Sequence, residues 1–246
     1  MLAHVLPFVA GAVNASGFVI VGAYTSHVTG SVARVGEELA QRNVFGALQA
    51  VFLVLSFLIG AAAATALLDH GNDSRQGQYA RPLAAEAATL LVVMLLGIAE
   101  PKTTPHLRSI TTALLCFAMG LQNALVTRLS GAVVRTTHLT GVVTDIGIET
   151  VRAYAWLRAL GLKGVLPRLL LVRSAPELAK LRLHCAILLS FSLGALMGPY
   201  LYLSWGYLSM ALPLFILGQL ILFDRIIGLR GRLPIRAAGP ALEAGE

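Results

Sequence analysis

The chain reads as an all-α, polytopic helical membrane protein, and three features lead there. Of its 246 residues, 57% are hydrophobic and 13% charged, with a mean hydropathy of +0.76, whereas soluble domains carry about 25% charged residues. Lys, Arg, Asp and Glu are absent from residues 1–33, 43–68, 109–127 and 183–223, and about 20 apolar residues suffice for a transmembrane helix. Two similar polar stretches, TSHVTGSVARVG at 25–36 and TTHLTGVVTDIG at 136–147, stand one in each half. A soluble α/β protein with buried helices would need polar outer faces on its other elements, and no segment supplies them.

Taken in order, residues 6–24 form the first helix. The start MLAHVLPFVAG lacks the basic region of a cleavable signal, so this segment is expected to be a retained span. Residues 44–68 form a long helix rich in Ala and Leu, and 70–81, HGNDSRQGQYAR, a polar loop. The 83–99 segment is the weakest of the main spans. Glu86 falls near its start, where a carboxylate is tolerated at the headgroup level. Pro101 and Pro105 mark a turn over 100–108, and 109–127 is the next helix. The run 183–223 is expected to split at GPYLYLSWG, with Gly198 and Pro199 interrupting the helix and Tyr200, Tyr202 and Trp205 suiting an interfacial belt.

The units beginning at His27 and His138 fit this scheme less simply. Residues 27–33 are too short to cross alone, and 138–160 carries Asp145, Glu149, Arg152 and Arg158. If both are re-entrant or broken, there are six full spans and the halves are inverted, because each holds an odd number of crossings. If both cross, there are eight spans and the halves are parallel. Either way residues 1–246 form a single membrane domain, with repeat 1 at about 5–99 and repeat 2 at about 108–223.

Residues 152–182 hold seven Lys or Arg and one acid, Glu177. The basic loop 151–182 and the tail 224–246 are therefore expected in the cytoplasm of a bacterium, with the protein in its inner membrane. The formal charge of +7 lies between spans, where it orients a membrane protein instead of binding nucleic acid. Cys116 and Cys185 sit in apolar segments without paired spacing and read as packing residues. His4 and His184 flank apolar runs and read as interface residues.

The halves align with Gly11, Asn14, Ala15, Gly22 and Ala23 on Gly120, Asn123, Ala124, Gly131 and Ala132, a displacement of 109. His27, Thr29, Gly30 and Gly36 match His138, Thr140, Gly141 and Gly147 at 111. The elements GAVNASGF, TSHVTGSVARVG, GLQNALVTRLSG and TTHLTGVVTDIG together resemble the YoaK-like family of bacterial membrane proteins (DUF1275), over residues 11 to about 223. The Gly-Leu-Gln-Asn element at 120–123 is the most specific part. Asn14 stands where the family commonly has an acid and Ser31 where it commonly has Asn, which weakens a proton-coupled role for position 14. The resemblance implies a multi-spanning protein of transporter type and names no substrate.

Thr25 or Ser26 is placed to cap a helix starting at His27 or Val28. A helix beginning inside the protein points free N–H groups and its positive end at whatever fills the adjoining space. Two such units near a repeat axis would make a site for a small polar or anionic solute, lined by Asn14, His27, Thr29, Gly30, Gln122, Asn123, His138, Thr140 and Gly141. Arg34 and Asp145, each seven residues after its His, are candidates to pair across the repeat or to couple transport; the alternative puts both at solvent-facing helix ends. The same polar groups could equally serve a non-transporting structural or regulatory protein as helix-packing contacts. No metal-ligand spacing, phosphate-binding loop or nucleophile–base arrangement occurs, so neither an enzyme nor a cofactor is expected. The lipid bilayer is the expected partner, and the oligomeric state is left open.

Overall fold

The computed structural model describes residues 2–69, 77–100, 104–129, 137–159, 175 and 178–228. Among them the chain is all helix: α1 (Leu2–Val21), α2 (Val28–Ala40), α3 (Val44–Asp69), α4 (Ala80–Ala99), α5 (Pro105–Leu129), α6 (Leu139–Ala159), α7 (Ala179–Trp205), a 3₁₀ turn (Gly206–Met210) and α8 (Ala211–Ile226). Four helical stretches are long and apolar enough to cross a membrane, Val44–Asp69, Ala80–Ala99, Pro105–Leu129 and Ala179–Ile226, and Val5–Val21 is a shorter apolar one. The 48-residue last stretch is α7 and α8 joined by the 3₁₀ turn. The chain is a polytopic helical membrane protein.

Helix directions follow from what meets at each end of the bundle. At the end called upper here, Ile20 and Val21 of α1 cluster with Tyr207 and Met210 of the 3₁₀ turn, and Met94 of α4 packs on them. At the lower end Asp69 closing α3 pairs with Arg128 closing α5, and Asp224 of α8 accepts the N–H groups of Tyr79 and Ala80 at the start of α4, at 2.9 and 2.7 Å. Thus α1, α4 and α7 run upward while α3, α5 and α8 run downward.

Two helix pairs carry the closest packing, α1 on α7 and α3 on α5. Small residues let the backbones touch. A methyl at Gly11 would stand 2.9 Å from the Ala195 nitrogen, and one at Gly194 2.9 Å from the Ala12 nitrogen. The second pair repeats the device: a methyl at Gly60 would lie 3.1 Å from the Leu121 nitrogen, and one at Gly120 3.1 Å from the Ala61 nitrogen. Leu6, Leu83, Leu90, Leu115, Met119, Leu217 and Leu220 fill the interior between these pairs. Outward, α3 exposes Phe45, Leu48, Phe52, Leu55 and Leu58, and α7 exposes Leu189, Leu193, Leu196 and Leu203. Apolar stripes of that size are stable against lipid and costly against water.

Three expectations are corrected. The helix does not break at Gly198 and Pro199: α7 continues through Pro199 to Trp205 and ends where Gly206 takes φ +59°. Gly198 instead brings α7 against Ala12 of α1. His184 is buried, not interfacial, with Nδ1 3.0 Å from Glu149 Oε2. Glu86 is fully buried, not at a headgroup boundary. The 151–182 segment is also less of a loop than expected, since α6 takes in 151–159; residues 160–174 and 176–177 lie outside the described set, as do Gly131, Ala132 and the His4 side chain.

Candidate functional site

The first His-Val-Thr-Gly unit, residues 27–30, is built by a reversal of the chain. After Val21, Gly22 takes φ +75° and its N–H bonds the Phe18 carbonyl at 2.8 Å, a left-handed stop that glycine adopts at least cost. The chain then folds back along α1. Thr25 lies over Gly17, where an added methyl would be 2.9 Å from Thr25 Cγ2, and the Ser26 N–H donates to Asn14 Oδ1 at 2.9 Å. Asn14 is seven residues before the end of α1, so at a rise of about 1.5 Å per residue the new helix starts about 10 Å below the upper end of α1, along the flank of the bundle, since none of the residues of α2 is buried. From there α2 runs back to the upper end, where Asn43 Oδ1 accepts the Gly46 N–H at 3.1 Å and Asn43 Nδ2 donates to Glu38 at 2.7 Å.

The cap differs from expectation. His27 is the residue before α2, no side chain caps the helix, and the Thr25 hydroxyl is buried without a partner. The His27 ring instead folds onto Gly30, where an added methyl would be 2.5 Å from Nδ1. His138 does the same to Gly141 at the start of α6, with a would-be methyl 2.6 Å from Nε2. A side chain at either glycine would meet the imidazole, which would have to swing away from the helix. The first carbonyl bonds also match, Ser31 N–H to His27 O and Val142 N–H to His138 O, both at 3.1 Å.

Two adjoining cavities open beside the first unit. One of about 480 Å³ lies between the end of α1, α2, the start of α3 and the start of α5, lined by Arg34, Gln49, Arg108, Ser109 and Thr112 among apolar neighbours. The other, about 220 Å³, is lined by His27, Gly30, Ser31, Arg34, Glu37 and Tyr24. Arg34 borders both, and its Nε bonds Glu38 Oε1 at 3.0 Å. Two guanidinium groups and an amide around one space suit an anion or a polar solute, since Arg forks match carboxylate and phosphate oxygens; the Ser109 and Thr112 hydroxyls donate to the Pro105 and Arg108 carbonyls at 3.1 and 2.7 Å and are left as acceptors.

The remaining residues are distributed as follows. Asn14, His27, Gly30 and Arg34 belong to one unit. His138, Gly141 and Asp145 belong to the other, which sits at the lower end on α7 through Glu149 and His184; Asp145 Oδ2 is 4.0 Å from His184 Nε2. Arg34 and Asp145 therefore do not pair with each other. Thr29 and Thr140 are exposed. Gln122 is fully buried, its Nε2 donating to the Leu6 carbonyl at 2.9 Å while Oε1 has no partner, and Asn123 Oδ1 is likewise buried without one. Since α2 packs on α3 and α6 on α7, neither cavity includes the second unit. Arg108, Gln49 and Thr112 have no place in the sequence reading, and Glu86, Glu149 and His184 enter it only as span or interface residues, not as parts of a site. Only Glu86 carried a signal, a carboxylate within an apolar run.

The Asn14 bond gives a direct check. Asn14→Ala removes the acceptor of the Ser26 N–H, worth about 1 kcal/mol. Backbone hydrogen exchange over residues 24–28 is expected to quicken about fivefold, with exchange in α7 unchanged.

No curated protein and no solved structure matches this chain. A family model does: that of the family described as protein of unknown function (DUF1275) matches residues 2–223, which run from the first helix through nearly all of the last. The geometry of the chain-reversed unit, the paired glycine contacts and this match cover the same span of sequence, and the chain belongs to the DUF1275 (YoaK-like) family.

Proposed function

We propose that the protein is a secondary transporter or permease for a small anionic or polar solute, made of two inverted repeats, α1–α4 and α5–α8. Each repeat has three crossing helices and one re-entrant helix, α2 or α6. Several observations support this. Gly11 and Gly120, aligned in the repeat, each seat a backbone of the third helix of the opposite half: α1 meets α7 as α5 meets α3. The first helices run in opposite directions, and an odd number of crossings per half inverts the second copy. The two His-containing units start at opposite ends of the bundle, as that inversion requires.

In this reading the lower end is cytoplasmic. By chain order the segments carrying Arg75, Arg135, Lys163, Arg168 and Arg173 and the tail with Arg230 and Arg232 fall to it, against Arg34, Arg42, Lys102 and Arg108 above, following the positive-inside bias of a bacterial inner membrane. The cavity holding Arg34 and Arg108 then faces the exterior and is the solute's outer site. Rocking of one repeat against the other would expose the equivalent space beside α6 to the cytoplasm. The observation that carries the proposal is this cavity, walled by a chain reversal that starts a helix about 10 Å below the upper end of α1.

Its test is uptake into proteoliposomes from a set of labelled anions: phosphate, sulfate, acetate and glutamate. Arg108→Gln removes a charge-assisted contact worth about 1.5–3 kcal/mol, which corresponds to a loss of about 10- to 100-fold in uptake, with the melting temperature in detergent unchanged. Uptake of none of these by the wild-type protein, or uptake indifferent to Arg108→Gln, overturns it.

A second reading, a non-transporting structural or regulatory membrane protein, is favoured by one observation. The amides of Asn14 and Gln122 are engaged with the protein's own backbone, at Ser26 and Leu6. It expects Arg108→Gln to be silent and Gln122→Ala to cost stability alone.

A further inference from the structure

The interior face of α4 repeats Leu83, Glu86, Leu90, Val93 and Gly97 at helical spacing. All but one of these are apolar. Glu86 is 0% exposed, and neither carboxyl oxygen has a hydrogen-bond partner. It stands six residues into the helix, about 9 Å from its lower end. The charged groups on the elements packed against α4 are engaged elsewhere or lie outside: Arg128 pairs with Asp69, Asp224 accepts the Tyr79 and Ala80 N–H groups, Arg108 lines the upper cavity, and Arg81 and Arg225 are exposed. The Thr89 hydroxyl, one turn above, bonds the Ala85 carbonyl at 2.8 Å, not Glu86.

An ionised carboxylate left alone in that position would cost several kcal/mol. A cation could neutralise it, but hard metal ions take six or more oxygen ligands, and no group of three His, Cys, Asp or Glu side chains able to hold a metal occurs among the described residues. A proton needs one oxygen only. The residue is also set where motion would reach it, since α4 packs on α5 and α8 of the other proposed repeat. In the transporter reading, sliding of one half on the other would open that seam to water at one end or the other.

We propose that Glu86 is the proton-binding site that couples transport to the proton gradient. With the seam closed the carboxyl carries a proton. With the seam open to one side, the carboxyl takes its proton from water there and carries it, with the solute, through the closed state; with the seam open to the other side the proton passes from the carboxyl oxygen to water, and the emptied protein returns with the carboxylate still solvated. One proton enters and one leaves per cycle, and no other reactant is consumed. The inference rests on the transporter reading for its coupling step; proton binding itself does not.

The experiment has two arms, run on the full chain with wild type, Glu86→Gln, which keeps shape and polarity, and Glu86→Asp, which keeps the carboxyl. Infrared titration in lipid nanodiscs is expected to show a carboxylic-acid carbonyl band that vanishes reversibly at alkaline pH, is absent from Glu86→Gln and returns in Glu86→Asp. No titrating band, or the same band in Glu86→Gln, overturns the proton site. In proteoliposomes with labelled phosphate, sulfate, acetate and glutamate, wild type is expected to accumulate its solute under an imposed pH gradient. Glu86→Gln is expected to lose that accumulation while retaining solute exchange at equal concentrations. Equal gradient-driven accumulation in both proteins overturns the coupling. A titrating band with no uptake of any probe upholds the proton site and strikes at the transporter reading instead.

Discussion

Gly120→Ala is expected to lower the melting temperature of the detergent-solubilised protein sharply, and Gly11→Ala to do the same. At Gly120 the new methyl would be 2.9 Å from the Phe57 carbonyl carbon and 3.1 Å from the Ala61 nitrogen; at Gly11 it would be 2.9 Å from the Ala195 nitrogen. These are backbone atoms, so no rotamer change relieves the overlap and the two helices must move apart. Overpacking of a close-packed interior costs about 1–3 kcal/mol, and where backbone is the obstacle the upper part of that range applies. Alanine's better helix propensity offsets at most about 1 kcal/mol. The controls are Gly36→Ala, Gly147→Ala and Gly218→Ala, whose methyls would meet nothing within 4 Å. They are expected to be neutral or to stabilise by up to about 1 kcal/mol. Melting by fluorescence-detected size exclusion decides the matter: if the two sets of variants behave alike, the glycines do not hold the helices together. Gly120→Leu goes further, and no folded protein is expected from it.

That contrast also marks how much the sequence disclosed. Charge-free runs gave the helices and their approximate limits, because lipid excludes charge regardless of which neighbour a helix chooses. The resemblance of 25–36 to 136–147 gave both His units, and in each the ring does rest on the glycine three residues on. What pattern could not give was who packs on whom. Gly11 and Gly194, 183 positions apart, meet only because α1 pairs with a helix of the other half. In the sequence Pro199 marks a break, yet the helix passes through it and stops at Gly206, since the decisive property is a left-handed backbone at one glycine and not the presence of proline. Glu86 was assigned to the headgroups from its place near a helix start. Which way it faces depends on rotation about the helix axis, and α4 turns it inward between Leu83 and Leu90. The Glu149–His184 contact joins residues 35 apart across a segment with no periodic signal. A shared cavity for both His units was a reading of symmetry; α2 and α6 go to different helices at different ends.

Asp224→Ala should destabilise the protein by about 2–4 kcal/mol, with consequences confined to the lower end. Asp224 is fully buried, and its Oδ2 accepts both the Tyr79 and the Ala80 N–H at the start of α4, while its own carbonyl accepts the Gly77 N–H at 3.2 Å. The first N–H groups of a helix have no partner within it, and a carboxylate there satisfies them and complements the helix dipole. Alanine leaves two N–H groups without their acceptor, the partly buried Tyr79 N–H and the buried Ala80 N–H, and bonds to a charged acceptor are worth about 1.5–3 kcal/mol each. Asp224→Asn keeps an oxygen of the same shape and loses only the charge, so about 1 kcal/mol is expected. A spectroscopic readout separates the charge from the packing. The Tyr79 phenol titrates above its ordinary value, first because it is partly buried and next because the Asp224 carboxylate opposes phenolate formation, with Arg128 acting the other way. Removing the carboxylate in Asp224→Asn should bring the phenol's ultraviolet titration toward its ordinary value while the fold persists. A Tyr79 titration unchanged in Asp224→Asn, together with wild-type melting in Asp224→Ala, would mean that α4 is anchored by something other than the last helix. The same bond ties the end of the second proposed repeat to the start of the fourth helix of the first, 145 residues away along the chain. Its loss should therefore raise hydrogen exchange at both helix ends together, at Gly77–Arg81 and Phe223–Ile226, while the glycine-packed pairs remain protected.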